Sequence, residues 1–165
     1  MIYAAKGWVG RDYLNVQLGQ KDKNGMADAT FGPAQRQVHI EESLDRAEIK
    51  GLIKSDTRKI PIDIKVSHES DGITQYEGLV GWESSPGWGV AVTEIPEKDG
   101  SQLLVGHYGD TSFELTRREV GTGTYAYTGT RHNKAGNDVV HVTLTGDGAR
   151  SDAPLDLMVP LLAMA

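Results

Sequence analysis

The chain has 165 residues, no cysteine, and 23 acidic against 17 basic residues, which gives a formal net charge of −6. This length fits one domain that buries a core of its own, and the missing cysteines exclude disulfides, thiolate metal sites and cysteine nucleophiles. The acidic balance disfavours a nucleic-acid binder, because neutralisation of phosphates by Lys and Arg supplies much of the affinity in such proteins.

Hydropathy along the chain disfavours targeting and membrane segments. No stretch approaches the roughly 18 apolar residues of a membrane helix, and the N-terminal residues MIYAAKGWVG lack the apolar run of a signal peptide. We therefore expect a soluble protein, cytoplasmic by default or part of an assembled particle.

Turn signals recur at short intervals and separate segments of strand length. The sequences KDKNG, HESDG and PEKDG each end in Asn-Gly or Asp-Gly, pairs typical of tight hairpin turns. Between them, KIPIDIKVS alternates apolar and polar residues with the period of a half-buried antiparallel strand, and SFELT and VVHVTLT repeat the pattern. This pattern predicts strands at 12–19, 26–31, 35–41, 59–67, 73–82, 88–95, 101–108, 111–118, 123–130 and 138–145, with further strands left open at 2–9 and 154–162.

One segment favours a helix. In SLDRAEIKGLIK, Ser43 can cap the first turn, and Leu44, Ala47 and Leu52 would share a face; the alternative is a further strand. Many short strands with at most one short helix predict a single all-β domain over 1–165. Its architecture is an antiparallel β-sandwich or a closed β-barrel of about ten strands.

Four segments near the N-terminus resemble four C-terminal segments in the same order, for instance QVHIEESLD and VVHVTLTGD, which align His39 with His141. One interpretation is an internal two-fold duplication, with halves 9–67 and 105–160 around a central hairpin insert. The other is that β-rich sequences resemble one another wherever glycine, valine and threonine recur.

Motifs that carry chemistry are missing from the sequence. There is no G-x-S-x-G, no H-E-x-x-H and no phosphate-binding loop. Alternation along their strands places His39 and His141 away from the core, and His107 with Asp110 resembles an acid–base pair without a third partner. The sequence therefore favours a non-enzymatic protein and predicts no catalytic residue, no metal and no cofactor.

Aromatic residues form the richest candidate binding set. Trp82 and Trp88 flank a turn in GWESSPGW, and Tyr125 and Tyr127 share one face of their strand. Such residues either line a ligand cavity or anchor a partner, or else they fill the core and form cross-strand pairs. The candidate binding residues are Trp82, Trp88, Tyr76, Tyr108, Tyr125, Tyr127 and His107.

The chain ends in the apolar segment LMVPLLAMA. Chain ends are normally solvated, and monomers avoid large exposed apolar patches, so this segment either closes the sheet or docks onto a neighbouring subunit. We therefore expect a binding or assembly module that forms a homo-oligomer through β-edges and its apolar C-terminus, of the kind found in virions, tails or other surface structures. The alternative is a small β-barrel that binds a hydrophobic small molecule, as a carrier or a cyclase-like enzyme.

Overall fold

A computed structural model describes residues 2–21, 24–31, 34–42, 47–54, 59–81 and 88–146, and in this part of the chain it contains twelve β-strands and no helix. The strands are β1 (Ile2–Val9), β2 (Asp12–Lys21), β3 (Asn24–Phe31), β4 (Ala34–Glu42), β5 (Glu48–Lys54), β6 (Lys59–His68), β7 (Thr74–Val80), β8 (Trp88–Pro96), β9 (Gln102–Tyr108), β10 (Thr111–Gly121), β11 (Thr124–Asn133) and β12 (Gly136–Gly146).

All strand pairs are antiparallel. Each joins strands that are consecutive in sequence, except the pair of β1 with β12. β1 pairs with β12 over seven residue pairs, from Tyr3 opposite Gly146 to Val9 opposite Val140, so the order of strands forms a closed ring. The prediction of an antiparallel all-β fold is confirmed. All ten predicted strands are present, together with the strand left open at 2–9, whereas 154–162 lies outside the described residues.

The helix favoured for SLDRAEIKGLIK is wrong over the part that the structure describes, and the alternative of a further strand is correct there, because Glu48–Lys54 forms β5; residues 43–46 lie outside the described residues. Ile49 and Ile53 are buried whereas Lys50 and Lys54 are exposed, which is the two-residue period of a strand. β5 is hydrogen bonded to β4 on one side and β6 on the other. Pairing with two strands outweighs the weak intrinsic stability of so short a helix.

The inward-facing side chains of the strands form one apolar core. Alternation correctly predicted the inner faces of β6, β10 and β12, whose buried residues are Ile62, Ile64, Val66, Phe113, Leu115, Val140, Val142 and Leu144. These side chains are almost completely buried from solvent, with relative exposures of 0–6%. These side chains therefore form a packed apolar core on the inner face of the sheet.

Five odd-numbered strands carry a glycine opposite an inward-facing residue of the strand that precedes them in the ring, which for β1 is β12. A Cβ added there would lie 2.0–2.1 Å from a carbonyl oxygen of that neighbouring strand. The register pairs are Gly7 with Val142, Gly51 with Ile40, Gly78 with Ile64, Gly106 with Val92 and Gly129 with Leu115. At these points the two backbones approach more closely than any residue with a side chain permits.

β3 carries Ala29 at the equivalent register position, opposite Val16 of β2. The sheet thus repeats a two-strand unit six times: β12 with β1, β2 with β3, β4 with β5, β6 with β7, β8 with β9 and β10 with β11. This repetition does not test the two-fold duplication, which stays a prediction, although His39 and His141 do occupy equivalent positions, each preceding the residue that faces the glycine.

Candidate functional site

The structure distributes the candidate binding residues over different parts of the sheet. Tyr76, Tyr108 and Tyr127 are buried in the core, and Tyr125 packs against it while remaining partly exposed. His107 is exposed on β9, between inward-facing neighbours. Trp88 is the first residue of β8, and Trp82 lies outside the described residues.

Two of these tyrosines belong to a buried polar network at one end of the core. The Tyr76 hydroxyl donates a hydrogen bond of 3.1 Å to Glu94 Oε2, and Arg117 Nη1 lies 3.4 Å from Glu94 Oε1. Arg117 Nη2 donates to Gln102 Oε1, and the guanidinium carbon lies 5.6 Å from the centroid of the Tyr125 ring. Tyr76 and Tyr125 thus contact the same ion pair from two strands.

This network neutralises a charge pair that is withdrawn from water, since the side chains of Arg117 and Glu94 are only 4% and 9% exposed. Both carboxylate oxygens of Glu94 already accept hydrogen bonds. Such an arrangement satisfies buried charge and fixes the register of β7 to β10 rather than presenting a free acid or base to a substrate.

Sequence reasoning missed this pair, although a signal was present. Glu94 follows the inward-facing Val92 by two residues, and Arg117 follows the inward-facing Leu115 by two. Alternation alone therefore places one acid and one base in the interior, on β8 and β10.

A second set of charged groups lies at the opposite end of the core. Arg131 of β11 binds Asp138 of β12 through Nε at 3.0 Å and Nη2 at 2.5 Å. Burial raises the pKa of the Tyr108 phenol to about 12, and the positive charge of Arg36 opposes part of that rise. Tyr108 therefore stays neutral far into the alkaline range.

The raised pKa of Tyr108 predicts an alkaline loss of stability. An unfolded chain ionises this tyrosine near pH 10.0, whereas the folded protein keeps it neutral to about pH 12. Its contribution is fully present below pH 10 and is lost as the pH rises through 12, an effect of about 2 kcal/mol. Urea unfolding at pH 9 and pH 12 should show a smaller alkaline loss in Tyr108→Phe than in the wild type, whereas the exposed Tyr13→Phe control should keep the full loss. Equal losses in all three proteins would contradict this effect.

The histidines do not assemble a catalytic or metal site in the described part of the chain. His39 and His141 are exposed, as alternation predicted. Asp110, the suggested partner of His107, lies 3.5 Å from Lys134 in an exposed ion pair. Over the described ranges, no group of three His, Asp or Glu side chains is placed to hold a metal ion.

The outer wall carries a cluster of exposed apolar side chains, which we term the aromatic patch: Trp8 of β1, Tyr13 of β2 and Val139 of β12. Their exposed fractions are 53%, 41% and 73%. Trp8 and Tyr13 are directly opposite each other across the two strands, and their rings meet edge to face with centroids 5.1 Å apart. On its other side Trp8 is paired with His141, next to Val139.

The aromatic patch was also missed from sequence, although alternation contains it. Ala5 and Val9 are buried, so Trp8 between them must point outward. An exposed tryptophan that packs on an exposed tyrosine is typical of the anchor residues of an interface.

Comparison of the chain with family models, with curated proteins and with solved structures found no match in any of the three. No helix in the described residues is long and apolar enough to cross a membrane.

Proposed function

We propose that the protein is a non-enzymatic assembly module that self-associates through the outer wall of its sheet. The observation that carries this proposal is the aromatic patch, in which a tryptophan and a tyrosine already in mutual contact remain about half exposed. Large aromatic side chains of this kind contribute most to association when a partner covers them.

The sequence pattern suggested association through strand edges, but the strand pairing favours the outward side chains of the sheet as the contact. Each described strand pairs with a neighbour on both sides, so the strands offer a second chain little unpaired backbone. Outward side chains are the remaining contact surface. The apolar C-terminal segment LMVPLLAMA, which lies outside the described residues, stays in the proposal as a second contact with a neighbouring subunit.

The filled interior supports assembly over the alternative of a carrier for a hydrophobic small molecule. A carrier needs space inside its barrel for the ligand. Among the described residues, Tyr76, Tyr127 and Leu104 belong to the apolar core with exposed fractions of 0–1%, which favours a packed interior over a ligand cavity.

Removal of the aromatic patch is expected to weaken association. The double variant Trp8→Ser/Tyr13→Ser should raise the dissociation constant about tenfold or more, because the few interface residues that dominate binding are enriched in Trp and Tyr and cost about 2 kcal/mol or more when truncated. Sedimentation velocity over a concentration series measures this change. The matched control is Val120→Ser, which removes another exposed apolar side chain, 58% exposed, on β10. Unchanged association of the double variant, with its circular dichroism spectrum intact, would exclude the aromatic patch as the contact.

A further inference from the structure

A second outward surface lies on β8 and β9, and we term it the uncharged strip: Thr93, Ile95, Leu103 and Val105. Thr93 is directly opposite Val105, and Ile95 is directly opposite Leu103, so the four side chains form one block. Val105 is 38% exposed and the other three are partly exposed. On β5 and β6, by contrast, the exposed outward residues include Lys50, Lys54, Lys59, Asp63 and Lys65.

Exposed acids flank the uncharged strip on both neighbouring strands. Glu114 of β10 is exposed directly opposite Val105, and Glu77 of β7 is exposed opposite Ala91 of β8, two residues along that strand from Thr93. Lys65 is opposite Glu77 on β6, whereas Glu114 is opposite Thr130 on β11 and Val105 on β9.

Exposed bases flank the aromatic patch. Lys6 is exposed on the same face as Trp8, two residues along β1, and Arg11 is exposed in the turn between β1 and β2. His141 is exposed beside Trp8 on β12. Two acids also lie near the patch: Asp12 follows Arg11 in the sequence, and Asp138 is bound to Arg131. An apolar patch with a basic rim and an apolar strip with an acidic rim are complementary surfaces.

The two surfaces face different directions. In the ring of twelve strands, β1 is separated from the junction of β8 and β9 by more than a third of the circumference. They also lie toward opposite ends of the wall, since Trp8 is next to the turn that follows β1, and Ile95 is next to the turn that follows β8. One molecule therefore cannot apply both surfaces to the same region of a partner, and contact between unlike surfaces leaves one of each free.

We propose that the aromatic patch of one copy binds the uncharged strip of a second copy, so that the chains join head to tail. This inference rests on the proposed self-association and names its partner and geometry. Because the surfaces point in different directions and toward opposite ends, each added copy covers one free surface and supplies another, and the assembly grows as an open chain. The acidic net charge of −6 favours another copy over a polyanion as the partner of the basic rim.

Charge reversal tests this geometry. The patch variant Lys6→Glu/Arg11→Glu and the strip variant Glu77→Lys/Glu114→Lys each place like charges across the contact, which is unfavourable. We expect each variant alone to associate at least tenfold more weakly than the wild type in sedimentation velocity. An equimolar mixture should assemble again, because each variant then meets a rim of opposite sign.

The controls separate this inference from the proposed function. The variant Lys54→Glu/Lys59→Glu has the same charge change on a distant part of the wall and should assemble like the wild type. A strip variant that assembles alone as well as the wild type would overturn the head-to-tail geometry while leaving self-association intact. A mixture that fails to assemble would also overturn it. A wild type that is monomeric at every concentration would overturn the proposed function itself.

Discussion

Replacement of Gly78 by alanine is expected to destabilise the folded protein by about 3 kcal/mol or more, near the upper end of single substitutions. The new Cβ would lie 2.0 Å from the Asp63 carbonyl oxygen and 2.7 Å from Ile64 Cα. Both are backbone atoms of β6, which is held in register against β7 by the ladder that contains Gly78. Relief of this contact requires the two strands to separate. Urea unfolding followed by circular dichroism measures the loss as a lower transition midpoint.

Gly89 provides the matched control on the adjacent strand. It pairs with Leu79 of β7, only one residue from Gly78, yet a Cβ at Gly89 meets nothing within 4 Å. Gly89→Ala should leave stability unchanged or raise it by about 0.5 kcal/mol, because alanine restricts the unfolded chain. If both variants unfold at the same urea concentration, the close approach of β6 and β7 is not a feature of the folded protein.

The second large effect is expected from Glu94. Glu94→Ala should cost about 3–5 kcal/mol, because it leaves the Arg117 guanidinium buried without its carboxylate. The Tyr76 hydroxyl loses its acceptor in the same variant. The free energy of unfolding in urea measures the cost, and near-UV circular dichroism reports on the packing around the tyrosines.

Arg118 offers the control, since it lies next to Arg117 but forms an exposed ion pair with Asp99 at 3.0 Å, with side chains 61% and 56% exposed. Arg118→Ala should cost less than about 1 kcal/mol, as is usual for exposed pairs. The double variant Glu94→Leu/Arg117→Met should be more stable than Glu94→Ala, because it removes the uncompensated charge. Similar losses for Glu94→Ala and Arg118→Ala would mean that the Glu94 network is solvated in the folded protein.

Much of the fold follows from local sequence pattern. Alternation in segments such as KIPIDIKVS, with Asp-Gly turns between them, predicted the strands and their inner faces, because both signals act over a few neighbouring residues. For β5 the sequence favours a helix and leaves a strand as the alternative, because Gly51 and Leu52 interrupt its alternation. Its conformation depends on hydrogen bonds to β4 and β6, which are tertiary contacts.

The pairing of β1 with β12 has a different origin. These strands come from opposite ends of the described chain, so no local signal specifies that Gly7 faces Val142. The glycines that permit close backbone approach also look like ordinary turn or bulge residues in the sequence. Only the register shows that five of them occupy equivalent places.

The candidate site was predicted less well than the fold because residue type was weighted above direction. Tyrosines such as Tyr76 and Tyr127 were chosen for their chemistry, although alternation places them on inner faces, where both are buried. Trp8 was left out of the candidate set, although the same rule places it outward beside Tyr13. Which outward residues become neighbours depends on pairing between strands, and that information is not local.

Self-association of the wild-type chain is tested most directly by sedimentation velocity from micromolar to near-millimolar concentration. We expect species heavier than the 17.9 kDa chain, with an average mass that increases with concentration. A single species of 17.9 kDa throughout the series would contradict assembly through the outer wall.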